Sequence, residues 1–217
     1  MAYGDNRSSV ATDTFDTSIS ASWTQGPDTY ADLAWVTGGH VEPATNAATN
    51  CMVRNAESFA DDQYCKITVN TLSAADGNLL GAACRASTTQ ETTYAGLVTS
   101  ASGLTPSAKY TIFEADAAAT FTELAATGTY GALAAGDTIT LEAEGTTLRL
   151  GTSEGGGADT QRLTTTDATI ASGQSSVFAV ALSTTSRARL TAWEGGDIGA
   201  GGGTSVRYKY LTLLGVS

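Results

Sequence analysis

The residues best placed by type and spacing to do chemistry are the acidic pair Glu114 and Asp116. Carboxyl groups two positions apart on a strand share one face at about 7 Å, and such a pair can act as acid and base in glycoside hydrolysis. The residues that follow, AAATF, contain no third carboxylate. We therefore expect this pair to be solvated at the end of a hairpin, and we predict no catalytic residue.

Two further motifs suggest a nucleophile or a base. Residues 151–155, GTSEG, match the G-x-S-x-G nucleophile elbow, which needs a helix after the serine and a histidine later in the chain. Here GGADT follows, and the single histidine, His40, lies upstream beside a turn in TGGHVEP. We predict a loop for the motif and a structural role for His40, and hence a protein that is not an enzyme.

Clustered acidic residues could bind a metal ion. Asp61 with Asp62, and the segment from Glu194 to Asp197, offer the carboxylate and carbonyl oxygens that calcium prefers. Neither has the alternating acidic spacing of a dedicated calcium loop, and a chain with one histidine and no C-x-x-C pair is a poor zinc site. We predict no cofactor and no metal-site residue, with a structural calcium ion as an open alternative.

The cysteines are expected to be structural. Cys51, Cys65 and Cys84 cannot all pair within one chain. Cys65 shares a strand face with apolar residues in QYCKITV, and Cys84 does so in LLGAACR. Buried cysteine behaves as a small hydrophobic residue, and we favour that role, although the sequence leaves open whether Cys65 and Cys84 pair.

Composition excludes several partners. The 22 acidic and 11 basic side chains give a net charge of −11, which disfavours nucleic acid and anionic membranes. No apolar run approaches the roughly 20 residues that span a bilayer. The start, MAYGDNRSSVATD, lacks the apolar region of a secretion signal, so we expect synthesis in the cytoplasm.

The elements that position these residues are β-strands. In residues 136–152, GDTITLEAEGTTLRLGT, apolar and polar residues alternate on either side of Gly145, which predicts an antiparallel hairpin turned at a glycine. The run VFAVAL is continuously apolar, as expected for a central strand covered on both faces. About a dozen short strands with frequent turns predict an all-β, two-sheet antiparallel sandwich, with a closed barrel as the alternative.

Several stretches occur in an order typical of one superfamily. They are TFDTSISASWT, AWVTGGHVEP, FADDQYCKITV, LLGAACRAS, AAGDTITLEAEGTTLRL and AWEGGD. This succession resembles the concanavalin A-like lectin/glucanase superfamily, in particular the laminin-G-like jelly-roll domains of bacteriophage and bacterial proteins. The resemblance implies two curved antiparallel sheets packed face to face, with a concave surface that can bind sugar. Glu114 and Asp116 lack the final glutamate of the superfamily's E-x-D-x-x-E signature, so its catalytic function is not implied.

The termini suggest a role in assembly. We predict a flexible N-terminal arm in residues 1–11, a jelly-roll sandwich in residues 12–198, and a glycine-rich hinge with a C-terminal strand in residues 199–217. Such a strand can pair with an exposed sheet edge. Its predicted interaction residues are Tyr208, Tyr210, Leu211 and Leu213.

Together these features resemble a bacteriophage virion component. The main hypothesis is a capsid decoration (cement) protein, made in the host cytoplasm and located on the virion. It would bind the major capsid protein or other virion proteins and form a homo-oligomer such as a trimer. The alternative is a carbohydrate-binding tail or fibre module that recognises a host surface glycan.

The carbohydrate-binding alternative requires exposed aromatic residues. Tryptophan or tyrosine side chains would have to be exposed on the concave sheet, where their rings could stack on sugar rings. The candidates are Trp23, Trp35, Trp193, Tyr208 and Tyr210. For the tryptophans we favour anchoring in the core.

Overall fold

The protein is built of β-strands. The structure, a computed structural model, describes residues 2–46, 48–72, 78–99, 109–117, 120–127, 133–180 and 187–199, and no helix occurs among them. The strands are β1 (Arg7–Asp13), β2 (Trp23–Gln25), β3 (Leu33–Val36), β4 (His40–Pro43), β5 (Thr49–Arg54), β6 (Gln63–Thr71), β7 (Leu79–Ala86), β8 (Thr93–Thr99), β9 (Lys109–Ala115), β10 (Phe121–Thr127), β11 (Thr138–Glu144), β12 (Thr147–Ser153), β13 (Thr160–Thr166), β14 (Gln174–Val180) and β15 (Arg189–Ile198). Within these residues there is accordingly no helix that could cross a membrane.

The strands form two antiparallel sheets. The eight-stranded sheet has the order β13-β12-β11-β6-β15-β4-β3, and β1 also pairs with β15. The seven-stranded sheet has the order β10-β9-β8-β7-β14-β5-β2. The two sheets pack face to face, which confirms the predicted sandwich and excludes the closed barrel.

The main core lies between the sheets. The eight-stranded sheet contributes Ile67, Val69, Ile139, Leu141 and Leu150, and the seven-stranded sheet contributes Leu80, Val98, Ile112 and Val177, among others. Trp23 and Trp193 join this core with their rings edge to face at 4.8 Å between centroids. The prediction that VFAVAL contains a central strand is confirmed, because β14 lies between β7 and β5.

The predicted hairpin is β11 and β12. Leu141 pairs with Leu150, and Gly145 turns the chain with φ of +55°, a conformation that glycine adopts without strain. The apolar face is fully buried, as the alternation indicates. The polar face differs from the expectation of an outward, solvated surface, because Thr140 and Glu142 are buried as well.

The N-terminal segment covers that polar face. The expectation of a flexible arm in residues 1–11 is corrected for residues 2–11. Residues from Arg7 onward form β1 on β15, and Gly4 donates its backbone N–H to Oε1 of Glu142 at 2.9 Å. Tyr3 packs so closely on Gly151 that a Cβ there would lie 2.1 Å from the tyrosine hydroxyl oxygen. These contacts hold the segment against the eight-stranded sheet.

The predicted boundary at residue 198 stays a prediction, because residues 200–217 lie outside the described residues. The last described strand ends at Ile198, and Gly199 donates its N–H to the Asn6 carbonyl at 3.0 Å. The predicted interaction residues Tyr208, Tyr210, Leu211 and Leu213 lie outside the described residues. All three cysteines are free and buried.

Candidate functional site

A β-bulge places Arg85 at one end of the sandwich. Gln174 pairs with Ala86 but Ser176 pairs with Ala83, so β7 holds an extra residue opposite β14. Arg85 has φ of +54°, which is uncommon for a residue with a side chain. Gly173 approaches its backbone so closely that a Cβ would lie 2.3 Å from the Arg85 carbonyl carbon. Bulges commonly redirect a side chain in this way.

The Arg85 guanidinium joins three loops. It donates from Nε to the Asp61 carbonyl at 2.9 Å, from one terminal nitrogen to the Ile170 carbonyl at 3.0 Å, and from the other to the Gly145 carbonyl at 2.8 Å. Its side chain is only 3% exposed. The loops before β6, after β11 and before β14 therefore have a fixed arrangement around one buried cation.

These loops border an open cleft, named here the end cleft. It has a volume of about 590 Å³ and is lined by Ala60, Asp61, Asp62, Arg85, Gly145, Thr146, Ala168, Ala171 and Ile198. That volume lies within the roughly 300–1,000 Å³ of small-molecule sites. The fold thus offers a preformed concave site.

The rim of the end cleft is polar and its wall is apolar. Asp62 accepts a hydrogen bond from the Gly145 N–H at 2.6 Å and lies 3.7 Å from the Arg85 guanidinium. Asp61 and Thr146 are exposed. The alanines and Ile198 supply the apolar surface. Hydroxyl-rich ligands with apolar ring faces need this combination of acceptors, donors and methyl groups.

A second surface, the aromatic patch, lies on the outer face of the seven-stranded sheet. It consists of Tyr30, Phe113, Phe121 and Phe178. Phe121 is 39% exposed and borders an apolar cleft of about 120 Å³. Among the residues lining this cleft, only Thr49 carries a polar side chain, so the aromatic patch suits apolar contact better than a hydroxyl-rich ligand.

Glu114 of β9 and Asp116, just after it, have contacts typical of the end of a hairpin. Asp116 follows the end of β9 and accepts the Thr120 N–H at 3.0 Å, which closes the turn to β10. Burial, together with the charge of Asp167, raises the pKa of Glu114. Asp167 itself accepts hydrogen bonds from the Tyr94 hydroxyl and the Thr169 N–H. These contacts agree with the expectation of a hairpin end.

The elbow-like motif and His40 also occupy structural positions. Ser153 lies in β12 and accepts hydrogen bonds from the backbone N–H and the hydroxyl of Thr138. The chain then enters β13 without a helix. His40 begins β4 and pairs with Val36 in the β3–β4 hairpin. No hydrogen bond between described residues joins Ser153 to His40.

The tryptophans anchor the core, as favoured. Trp23 is 5% and Trp193 2% exposed, and the Trp35 ring N–H donates to the Phe15 carbonyl at 2.7 Å. Burial leaves the first two unable to stack on a sugar. Tyr208 and Tyr210, the other aromatic candidates, lie outside the described residues.

Acidic residues of the stretch considered for calcium already have partners within the protein. Glu194 pairs with Lys66, and Asp197 accepts the Ala60 N–H at 2.8 Å. In the part of the chain that the structure describes, no group of three or more His, Cys, Asp or Glu side chains is placed to hold a metal ion.

Sequence reasoning missed Arg85. The signal available was a charged residue directly after the apolar run LLGAAC, which is unusual inside a buried strand. Its loop partners are backbone carbonyls, however, and these carry no sequence signature.

The comparisons with known proteins establish the fold. No protein family model matches this chain, and no curated protein matches its sequence. The structure is similar to the GH43 protein BlXynB from Bacillus licheniformis, with a TM-score of 0.61 and 16% identity over 85% of this chain and 39% of that one. The chain thus spans well under half the length of that protein.

Two other similar structures match over most of their length. One is the carbohydrate binding module CBM66 from Bacillus subtilis, with a TM-score of 0.51 and 15% identity over 82% of this chain and 93% of the module. The other is the exoplasmic/lumenal domain of VIP36 in its Ca²⁺/Man3GlcNAc-bound form, with a TM-score of 0.53 and 8% identity over 84% and 85%. The fold is therefore a lectin-like jelly-roll sandwich, which is similar to part of a GH43 protein and to most of a binding module.

Proposed function

We propose that this protein is a carbohydrate-binding module and that the end cleft is its sugar site. The observation that carries the proposal is the cleft itself, a preformed polar-rimmed volume of about 590 Å³ in a lectin-like sandwich. The similarity to a carbohydrate binding module over 93% of that module's length supports it. This favours the alternative from the sequence over the capsid hypothesis.

The rim supplies the hydrogen bonds that a sugar requires. The Asp61 carboxylate is exposed beside the cleft, and two acceptor oxygens can receive bonds from neighbouring sugar hydroxyls. Thr146 adds a hydroxyl that both donates and accepts. Hydrogen bonds to a charged acceptor are worth about 1.5–3 kcal/mol each, so we expect Asp61 to dominate the affinity.

We propose binding without cleavage. Glycoside hydrolysis needs two carboxyl groups on opposite sides of the scissile bond, about 5–9.5 Å apart. Asp61 and Asp62 are adjacent on one loop, and Asp62 is already held by the Gly145 N–H. A sugar in the end cleft would thus meet carboxylates from one side.

The experiment is a glycan array followed by calorimetric titration of the best ligand. We expect Asp61→Asn to weaken binding about tenfold or more and Thr146→Val to weaken it less. Asp16→Asn, an exposed aspartate outside the end cleft, is the matched control. The proposal fails if no glycan binds, or if both cleft variants bind as well as the control.

The capsid decoration function stays a prediction from the sequence. It rests on the C-terminal strand, which lies outside the described residues. Saturable binding of the purified protein to expanded, undecorated capsids would support it, together with its expected virion location and oligomer. Failure to bind any shell would leave the carbohydrate proposal alone.

A further inference from the structure

A buried carboxylate lies on the loop between β7 and β8, outside the end cleft. Glu91 is 2% exposed. Its Oε1 accepts hydrogen bonds from the backbone N–H of Thr29, at 3.1 Å, and from the Thr29 hydroxyl. Its Oε2 is buried and has no hydrogen-bond partner within the part of the chain that is described. A charged oxygen in this state is costly unless something satisfies it.

A second carboxyl group lies against the first. Asp28, on the loop between β2 and β3, is within hydrogen-bonding reach of the Glu91 carboxylate. No lysine, arginine or histidine among the described residues forms a salt bridge with either group. Two carboxylates in contact repel each other, so either a proton or a cation has to lie between them.

Other glutamates of this chain have a different kind of partner. Glu42, Glu142, Glu154 and Glu194 each form an ion pair with an arginine or a lysine. Glu91 differs from these four glutamates, because the chain supplies a neighbouring acid where they have a base. The second carboxyl group and the missing cation occur at the same place.

The geometry points to a cation site formed by Asp28 and Glu91, with calcium as the ion. All the donor atoms are oxygens, which suits a hard cation. Calcium takes six to eight oxygens from irregular loops and completes its shell with carbonyls and water, whereas magnesium demands a near-ideal octahedron. One buried and one exposed carboxylate, on two separate loops, fit the less demanding ion.

Binding there would join two loops to the aromatic patch. The Tyr30 hydroxyl donates to the Glu91 backbone carbonyl at 2.9 Å, and the Tyr30 ring packs against Phe178 at 5.4 Å between centroids. An ion between Asp28 and Glu91 would hold the β2–β3 loop on the β7–β8 loop and so fix Tyr30. This site is independent of the proposed sugar site.

The test is calorimetric titration of the chelator-treated full chain with calcium chloride at about pH 7, where both free carboxyl groups would be ionised. We expect one site with a dissociation constant of about 10⁻⁴–10⁻³ M, the range typical of extracellular calcium modules. Calcium at about 10 mM should then raise Tm by about 3–10 °C. Magnesium should give a smaller rise.

Variants locate the ion. Asp28→Asn and Glu91→Gln should each weaken calcium binding about tenfold or more, while Asp61→Asn, an exposed aspartate of the end cleft, should leave it unchanged. Because Asp28 is exposed, its variant is expected to fold even if the change at Glu91 disturbs the core. The inference is overturned if the chain binds no calcium, which would leave a shared proton as the explanation. It is also overturned if calcium binds equally well to both loop variants, or is lost in Asp61→Asn instead.

Discussion

Two buried glutamates show how differently this chain treats the same charge. The Glu142 side chain is 2% exposed and meets Arg7 at 2.7 Å and Arg149 at 3.6 Å. Glu91 is as deeply buried, but its described partners are Thr29 and a second carboxyl group. Glu142 has its counterions from the N-terminal segment and from β12, whereas Glu91 has none from the described chain.

The difference shows where each carboxylate obtains its neutralising charge. Arg7 stacks over the rings of Tyr3 and Tyr64, at 4.5 and 5.4 Å from their centroids, and also binds Asp159 at 2.7 Å. Folding thus brings the cation to Glu142 and fixes the N-terminal segment in the same step. At Glu91 the neutralising charge has to come from outside, as a proton or an ion.

The largest expected effect breaks the first half of this comparison. Arg7→Met leaves the more distant Arg149 as the described cation that pairs with the buried Glu142, and removing one partner of a buried pair costs about 3 kcal/mol or more. We expect a loss of about 3 kcal/mol in the free energy of unfolding, measured by urea denaturation. The double variant Arg7→Met, Glu142→Gln should recover at least half of it.

A matched control is an arginine in an exposed pair. Arg189 binds Glu42 at 2.7 Å, but its side chain is 38% exposed. Arg189→Met should cost less than about 1 kcal/mol, because exposed ion pairs contribute little. Equal losses at Arg7 and Arg189 would show that Glu142 does not depend on its counterion.

The second prediction sharpens the contrast at Glu91. In the absence of metal, Glu91→Gln keeps an acceptor for Thr29 and gives the Asp28 carboxylate an N–H donor. We expect the free energy of unfolding in chelator to stay the same or to rise by about 1 kcal/mol. Glu142→Gln should lower it under the same conditions. A similar loss in both variants would mean that Glu91 is already neutralised within the chain.

The smallest effect is a dependence on pH with an unusual sign. The hydrogen bond to Glu91, and then its charge, raise the pKa of Asp28. A raised carboxyl pKa gives stability that is fully present below the unfolded value of about 3.9 and is lost as pH rises through the folded pKa. In chelator, wild type should therefore lose stability relative to Asp28→Asn as pH rises above about 4.

Glu57 provides the opposite case for the same titration. Its hydrogen bond with Arg54 lowers the pKa of Glu57, so its contribution is present above the unfolded value and is lost as pH falls through the folded pKa. Relative to Glu57→Gln, wild type should lose stability on acidification. If Asp28→Asn and Glu57→Gln shift the curve in the same direction, the carboxyl contact at Glu91 is not formed in solution.

Much of the scaffold could be predicted because apolar and polar residues alternate along a half-buried strand. In β11, Ile139 and Leu141 alternate with polar residues and are fully buried, and Gly145 lies at the turn that the pattern predicts. The buried role of the tryptophans and cysteines followed from their apolar strand neighbours. These features depend on contacts between residues close in sequence or on one repeated face.

The sites could not be predicted in the same way. Arg85 acts on carbonyl groups of loops 24, 60 and 85 residues away, and any residue type provides a carbonyl. Arg7 reaches Glu142 across 135 positions, so residues 2–11 read as an isolated polar arm. Asp28 and Glu91 come together only because the β2–β3 loop lies against the β7–β8 loop.

The sequence alone determined that the chain is an all-β sandwich, because hydrophobic alternation decides which face of each strand leaves water. It also determined the strongly acidic surface, which follows from composition. Only the tertiary structure decided which acids are paired with a cation, that Glu91 lies instead against a second acid, and where three loops border a cleft. Charges and carbonyls interact through space over a few ångströms, and the chain order, which separates Arg7 from Asp159 by 152 positions, does not encode that distance.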